Sequence, residues 1–163
     1  MSSFSFDLAP ATVSDVPVIL RFIRELAEYE RLLPAVTATE ESLRESLFGP
    51  RPAAEVVIAR ADGDAAGFAV YFQSFSTFVG RPGLYLEDLY VTPKWRGRGL
   101  GRQLLACLAR TALDRGYGRM EWSVLDWNEP ALGVYRRIGA EPLSEWTIHR
   151  LTGDALRALA YSV

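Results

Sequence analysis

The stretch Tyr90-Val91-Thr92-Pro93-Lys94-Trp95-Arg96-Gly97-Arg98-Gly99-Leu100-Gly101-Arg102 carries the plainest chemistry in this sequence. Gly97, Gly99 and Gly101 leave the backbone without the Cβ atoms that would keep a bulky ligand away from it. The amides of the turn and of the first helical residues point toward one spot, where the helix dipole adds partial positive charge. Lys94, Arg96, Arg98 and Arg102 add cationic side chains around that spot. Such a composition holds a pyrophosphate. It is neither of the two commonest nucleotide loops. A mononucleotide P-loop ends in Gly-Lys-Ser/Thr, whereas Gly101 is followed by Arg102-Gln103. A dinucleotide fingerprint needs Gly-x-Gly-x-x-Gly and an acidic residue after a second strand. Here the third glycine arrives one residue early, and Asp114 falls inside a helix.

The loop must be positioned by a strand before it and a helix after it, and both are legible. Leu84–Val91 reads as a strand, and Leu100–Arg115 as a helix with Leu104, Leu105, Leu108 and Ala112 on one face. Ahead of them, residues 4–9 read as a short strand. Thr12 or Ser14 caps a helix carrying Val16, Ile19, Leu20, Ile23, Leu26 and Ala27, expected to end near Leu33-Pro34. Thr39 opens a shorter helix stopped by Gly49-Pro50, and Glu55–Ala61 and Ala65–Gln73 form a hairpin about Asp62-Gly63-Asp64. Beyond the loop helix, Met120–Leu125 is a strand, and Asn128 caps a helix that starts at Glu129-Pro130 and stops at Gly139. A sixth strand is expected around Trp146–Leu151, then a helix from Asp154 to Ala160. The order β-α-α-β-β-β-α-β-α-β with a C-terminal helix predicts an α/β protein with a mixed sheet, its first half antiparallel and its second half using crossover helices.

Composition narrows the possibilities further. The 163 residues show no internal repeat and no domain-separating linker, so residues 1–163 read as one domain. A net charge of −2 supplies no general attraction for nucleic acid or an anionic membrane, so the basic loop is a local feature. No apolar run reaches the roughly 20 residues of a membrane span. The segment Met1-Ser-Ser-Phe-Ser-Phe-Asp has none of the character of a signal peptide. A cytoplasmic protein is expected. Cys107, the one cysteine, falls in a helix, and His149, the one histidine, is too isolated to build a metal site.

The arrangement Arg96-x-x-Gly99-x-Gly101 between strand and helix resembles the coenzyme A signature of the GNAT superfamily of N-acetyltransferases, which shares the element order. A sharper resemblance is to the diamine (spermidine/spermine) and thialysine N-acetyltransferase family. It rests on Leu86-Glu87-Asp88-Leu89-Tyr90-Val91, on Asp126-Trp127-Asn128-Glu129-Pro130 with Tyr135-Arg136-Arg137 and Gly139-Ala140, and on Glu25-Leu26-Ala27-Glu28-Tyr29-Glu30. It runs from about Pro10 to the last helix.

The resemblance implies acetyl-CoA as cosubstrate and no metal. Pantetheine would lie along the backbone of Leu89, Tyr90 and Val91, and the pyrophosphate against Arg96, Gly97, Arg98, Gly99, Leu100, Gly101 and Arg102. Asn128, Glu129, Pro130 and Ala131 would contribute at the start of the next helix. Tyr135 occupies the family's proton-donor position. Its phenol, with a reference pKa near 10, stays protonated where a thiol near 8.5 ionises. Glu87 is matched to the substrate-contacting glutamate that leads the amine proton away, and Tyr29 and Glu30 to residues that touch the amine. Strict strand alternation would send Asp88 to the opposite sheet face. One departure concerns the acceptor: where polyamine enzymes carry another glutamate this chain has Thr147, with Glu145 two positions away. A long polyamine therefore fits less well, and lysine-like amino acids such as thialysine, short diamines or another small amine fit equally well. The amine would attack directly in a ternary complex, and the relatives imply a homodimer. A protein or peptide N-acetyltransferase and a noncatalytic acyl-CoA-binding module are the alternatives.

Overall fold

The computed structural model describes residues 5–162, and the chain forms two compact units, Met1–Trp127 and Asn128–Val163. In the first unit the order is β1 (Asp7–Pro10), α1 (Val16–Tyr29), α2 (Glu40–Phe48), β2 (Glu55–Ala61), β3 (Asp64–Ser76), β4 (Arg81–Val91), α3 (Leu100–Asp114) and β5 (Met120–Trp122). The second unit holds α4 (Glu129–Arg137) and α5 (Gly153–Ala160). The five strands lie in the order β1-β2-β3-β4-β5. β1 to β4 pair antiparallel, and β5 joins β4 in parallel. The expected mixed sheet is therefore present. Of the expected first strand, residue 4 lies outside the described residues.

α1 buries the stripe its spacing implied. Val16, Ile19 and Phe22 are inaccessible to solvent. Ile19 and Phe22 form one core cluster with Val56, Ile58, Phe68, Val70 and Tyr90 of the sheet. Phe22 meets the rings of Phe68 and Tyr90 at 5.4 and 5.6 Å, distances at which aromatic pairs attract beyond simple burial. α2 is capped by Thr39, whose Oγ1 accepts from the Ser42 amide at 3.1 Å, and it lays Leu43, Leu47 and Phe48 on the same cluster. α3 takes the other face. Gly67 and Leu89, whose chain neighbours Phe68 and Tyr90 meet α1, come up against Leu100 and Gly101 instead.

The entry to α1 is tied to the sheet by Asp15, which accepts from the Thr12 amide at 2.8 Å and from the Arg60 guanidinium at 2.5 Å. Asp15→Ala removes both the turn lock and the partner of Arg60. It should cost about 2 kcal/mol in chemical denaturation; a loss under about 0.5 kcal/mol would show that the pair contributes nothing.

Besides shifted strand ends, with β3 running on to Ser76 and β4 starting at Arg81, three features differ from expectation. α1 ends at Tyr29, not near Leu33-Pro34, because Arg31 turns into the left-handed region at φ 61°. β5 stops at Trp122, not Leu125. Its ladder with β4 covers only Leu84–Leu86, and the β4 partner edge is interrupted at the next residue. The sixth strand around Trp146–Leu151 is absent. β-propensity needs a neighbouring strand to become a ladder, and among the described residues the backbone bond made here is a local one, Trp146 N–H to the Leu143 carbonyl at 3.1 Å. Trp146 and Ile148 stay exposed, at 75% and 74%.

Candidate active site

The β4–α3 connection has the geometry its glycines foretold. A short 3-10 turn, Pro93–Trp95, is anchored by Trp95, which is buried and packs edge-on against Phe6 at 5.7 Å. Gly97 and Gly99 follow at φ 72° and 84°, conformations that other residues adopt only under strain. A Cβ on either would meet nothing within 4 Å, so the face above the loop is open to a ligand. The Gln103 amide makes the first helical bond, to the Gly99 carbonyl at 3.0 Å. The Leu100, Gly101 and Arg102 amides therefore stand at the positive end of α3 ahead of any i→i−4 partner, which is the donor set an anion needs. Gly99→Ala should cost about 1 kcal/mol through its left-handed conformation and raise the KM for acetyl-CoA; an unchanged KM would remove the loop from cofactor binding.

β4 contributes an open edge. Beyond Leu86–Trp122 the ladder to β5 ends. Leu89, Tyr90 and Val91 stay paired with Ala69, Phe68 and Gly67 of β3 on the other side. The diverging edge accommodates an extended, amide-bearing ligand such as pantetheine as a further strand.

The basic side chains are deployed unequally. Lys94 lies 3.9 Å from Asp64 and 5.0 Å from the Trp95 ring, and Arg98 lies 5.1 Å from that ring. Arg102 is exposed on the first turn of α3. Arg96 is drawn toward α1: Nε donates to the Val91 carbonyl at 2.9 Å, and the guanidinium sits 5.2 and 5.6 Å from the rings of Tyr29 and Tyr90. Lys94, Arg96, Tyr29 and Tyr90, with Glu25 and Arg21, line an open groove of about 610 Å³ between α1 and the end of β4. The Tyr90 hydroxyl donates to Glu25 at 2.8 Å, and burial together with that carboxylate pushes its pKa to about 12.

The acidic pair on β4 is arranged differently from simple alternation. Leu86 opposes Tyr71 and Asp88 opposes Val70, so Glu87 is an extra residue, a β-bulge. Val70 belongs to the cluster under α1, whereas Tyr71 turns to Arg115 at the end of α3. The bulge thus switches Asp88 to the α1 face, correcting the expectation that it points away. There it is partly buried, and its pKa is raised to about 6, chiefly by burial and then by the charges of Glu87 and Glu30. Burial also raises the pKa of Glu30, at the C-terminus of α1. The charges of Glu87 and Glu30 therefore both reach Asp88 where α1 ends over the bulge. Tyr29, next to Glu30, meets the Trp127 ring in a tilted contact at 5.9 Å.

In the second unit, Asn128 caps α4 by accepting from the Ala131 amide at 3.4 Å, and Glu129 and Pro130 open the helix as expected. Tyr135 lies on its last turns, where its carbonyl accepts from Ala140 N–H at 3.0 Å, and Gly139 ends the helix at φ 82°. Tyr29, Glu30, Glu87, Leu89–Val91 and Arg96–Arg102 thus belong to one unit, and Asn128–Ala131 and Tyr135 to the other. Sequence reasoning left out Asp88, which a bulge repositions, and Trp127, whose place inside the Asp126–Pro130 block was the available signal.

A glycine-built helix start beside a diverging strand edge is the arrangement expected of an N-acetyltransferase scaffold. The profile of the Acetyltransferase (GNAT) family matches residues 21–140, and the chain belongs to that family. It is 41% identical over 161 residues to a thialysine N-epsilon-acetyltransferase of Bos taurus, covering 92% of this chain and 94% of that one. It is 31% identical to an L-ornithine N5-acetyltransferase of Arabidopsis thaliana, covering 91% and 85%. Among solved structures, the integron cassette protein VCH_CASS6 from the mobile metagenome of V. cholerae superposes with a TM-score of 0.79 at 26% identity, covering 96% of this chain and 98% of that one.

Proposed function

We propose that this N-acetyltransferase moves the acetyl group of acetyl-CoA to a primary amine of a small cationic substrate, a diamine or polyamine or a lysine-like amino acid. The observation that carries the reading is the convergence of Glu30, at the end of α1, with Glu87 and Asp88 of β4, the strand that leads into the glycine loop. The relatives named for thialysine and ornithine acetylation support it.

Acetyl-CoA supplies an activated thioester, for which Leu89–Val91, Arg96–Arg102 and Asn128–Ala131 are the holding residues. The remaining chemistry belongs to the protein's own side chains. An alkylamine has a pKa near 10 and arrives charged. Glu30 and Asp88 hold the ammonium, with Tyr29 against its methylenes, and Glu87 takes the proton that must leave before the nitrogen can attack. Tyr135 would give its phenolic proton to the departing thiolate. No acyl-enzyme is needed, since the amine is itself the nucleophile.

We take the two units as parts of a single catalytic domain, because the family match at residues 21–140 spans their boundary at Trp127. Composition and charge carry the expectation of a cytoplasmic protein without nucleic-acid or membrane partners, and the resemblance that of a homodimer. Among the described residues no helix is long and apolar enough to cross a membrane.

The reading is tested by coenzyme A release with putrescine, spermidine, L-ornithine, L-lysine, thialysine and an N-terminal peptide. Turnover on the small amines supports it. Turnover confined to the peptide would assign a protein N-acetyltransferase, and acetyl-CoA binding without turnover a noncatalytic module.

A further inference from the structure

Arg31 stands where helix physics asks for glycine. α1 closes with the Leu32 amide bonded to the Ala27 carbonyl at 2.7 Å and the Arg31 amide to the Glu28 carbonyl at 3.0 Å. This paired pattern is the Schellman motif, whose left-handed residue is usually glycine and sometimes asparagine. Here that residue is arginine at φ 61°. The other non-glycine residue at positive φ among the described residues, Asp62 at 52°, sits in an Asp-Gly hairpin turn that calls for it. Arg31 has no such local reason.

Stability does not account for it either. A left-handed conformation is unfavourable for a residue with a Cβ. A cation at a helix C-terminus and an exposed cation–π contact do no more than offset it, and glycine would close the helix with no strain at all. A residue strained without stabilising the fold points to function.

What the side chain does is visible in its surroundings. Its guanidinium lies 5.2 Å from the centroid of Trp127, whose ring is also 5.9 Å from that of Tyr29. A guanidinium held over a ring keeps N–H donors for a planar, bidentate acceptor. Among the described residues no carboxylate comes within 4.0 Å of it. It is exposed, and it follows directly on Glu30, whose charge reaches Asp88 on the α1 side of β4.

We infer that Arg31 is a specificity-determining residue that binds the carboxylate of the amine substrate. The inference rests on the small-amine reading above and narrows it. The carboxylate cluster takes the ammonium of such a molecule, and Arg31 takes its α-carboxylate. A diamine has nothing to offer Arg31, and its second ammonium is repelled by the guanidinium. The same residue therefore attracts an amino acid that carries a distal amine and disfavours the decarboxylated counterpart. Arg31 makes the chain a diamino-acid N-acetyltransferase.

The test is a ratio of kcat/KM values measured on pairs that differ only by the carboxylate: L-ornithine against putrescine, and L-lysine against cadaverine. Wild type should favour the amino acids. In Arg31→Ala and Arg31→Gly the ratio should fall about 10- to 100-fold, the range of a lost charge-assisted hydrogen bond. Arg31→Lys should fall between. Arg31→Gly relieves the backbone strain, so its Tm should not drop, which separates loss of recognition from loss of the helix cap. A ratio unchanged in both the alanine and glycine variants would overturn the inference, as would a wild type that prefers the diamines. Wild-type inactivity on every small amine would bring down the small-amine reading itself, whereas variant ratios measured on an active wild type bear on Arg31 alone.

Discussion

Tyr135→Phe is expected to lower kcat by about 10²-fold or more while leaving the Kd for acetyl-CoA nearly unchanged. The substitution removes one hydroxyl and keeps the ring. The local fold at this position is secured by the backbone, with the Tyr135 carbonyl accepting from Ala140 N–H at the end of α4. Phenylalanine leaves that bond in place, so the variant isolates the proton. Without a donor the thiolate must leave as an anion, and general acid catalysis of such a step is ordinarily a factor of 10²–10⁴. Rapid-quench turnover with a saturating amine, beside calorimetric titration of acetyl-CoA, separates chemistry from binding. A kcat within about threefold of wild type would remove Tyr135 as the acid; a large rise in Kd would recast it as a cofactor contact.

The acidic cluster carries the second large effect, and its sign follows from Asp88. Burial and the charges of Glu87 and Glu30 raise its pKa from the ordinary 3.8 to about 6 in the folded protein. Below about pH 6 Asp88 is neutral, and a negative charge that should attract the ammonium is gone. KM for a cationic amine is therefore expected to rise as pH falls through about 6. Asp88→Asn should raise that KM about 10-fold at pH 7.5 and flatten its pH dependence. Stability moves the opposite way. The folded state binds the Asp88 proton more tightly than the unfolded state does, so stability is greatest below about pH 4, declines as pH rises toward 6, and is level above. Asp88→Asn should accordingly raise Tm above pH 6 and match wild type below pH 4. Glu87→Gln should lower turnover by removing the proton acceptor. By deleting a like charge it should also shift the inflection in KM toward lower pH. A pH-independent KM in wild type, or an Asp88→Asn variant less stable than wild type at pH 7.5, would show that the carboxylates do not share one site.

Much of this was readable in the chain because it is local. The 3.6-residue stripes of α1 and α3 appear where their leucines and isoleucines place them, since a helix must bury its apolar face somewhere. The Asp62-Gly63 hairpin, the Thr39 and Asn128 caps and the paired glycines at positive φ before α3 are each decided by a few consecutive residues. The family resemblance built on Leu86–Val91, Arg96–Gly101 and Asn128–Tyr135 agrees with the GNAT match across residues 21–140.

What only tertiary structure decided involves partners distant along the chain. Whether Asp88 faces α1 or α3 depends on register with β3, where one unpaired residue, Glu87, reverses the side on which everything after it lies. The Asp88 pKa depends on Glu30, 58 positions earlier in the chain. The apolar alternation around Trp146–Leu151 has the composition of a strand, but a strand exists only when another backbone completes its hydrogen bonds. Arg31 teaches the same point at close range. Its composition reads as one more turn of helix, and only the bonds from Arg31 and Leu32 back to Glu28 and Ala27 turn the chain left-handed and set its guanidinium on Trp127, nearly a hundred residues away. Sequence determined which elements form and which residues could do chemistry. Packing decided which of those residues meet, because hydrogen-bond register and burial depend on all the chain at once.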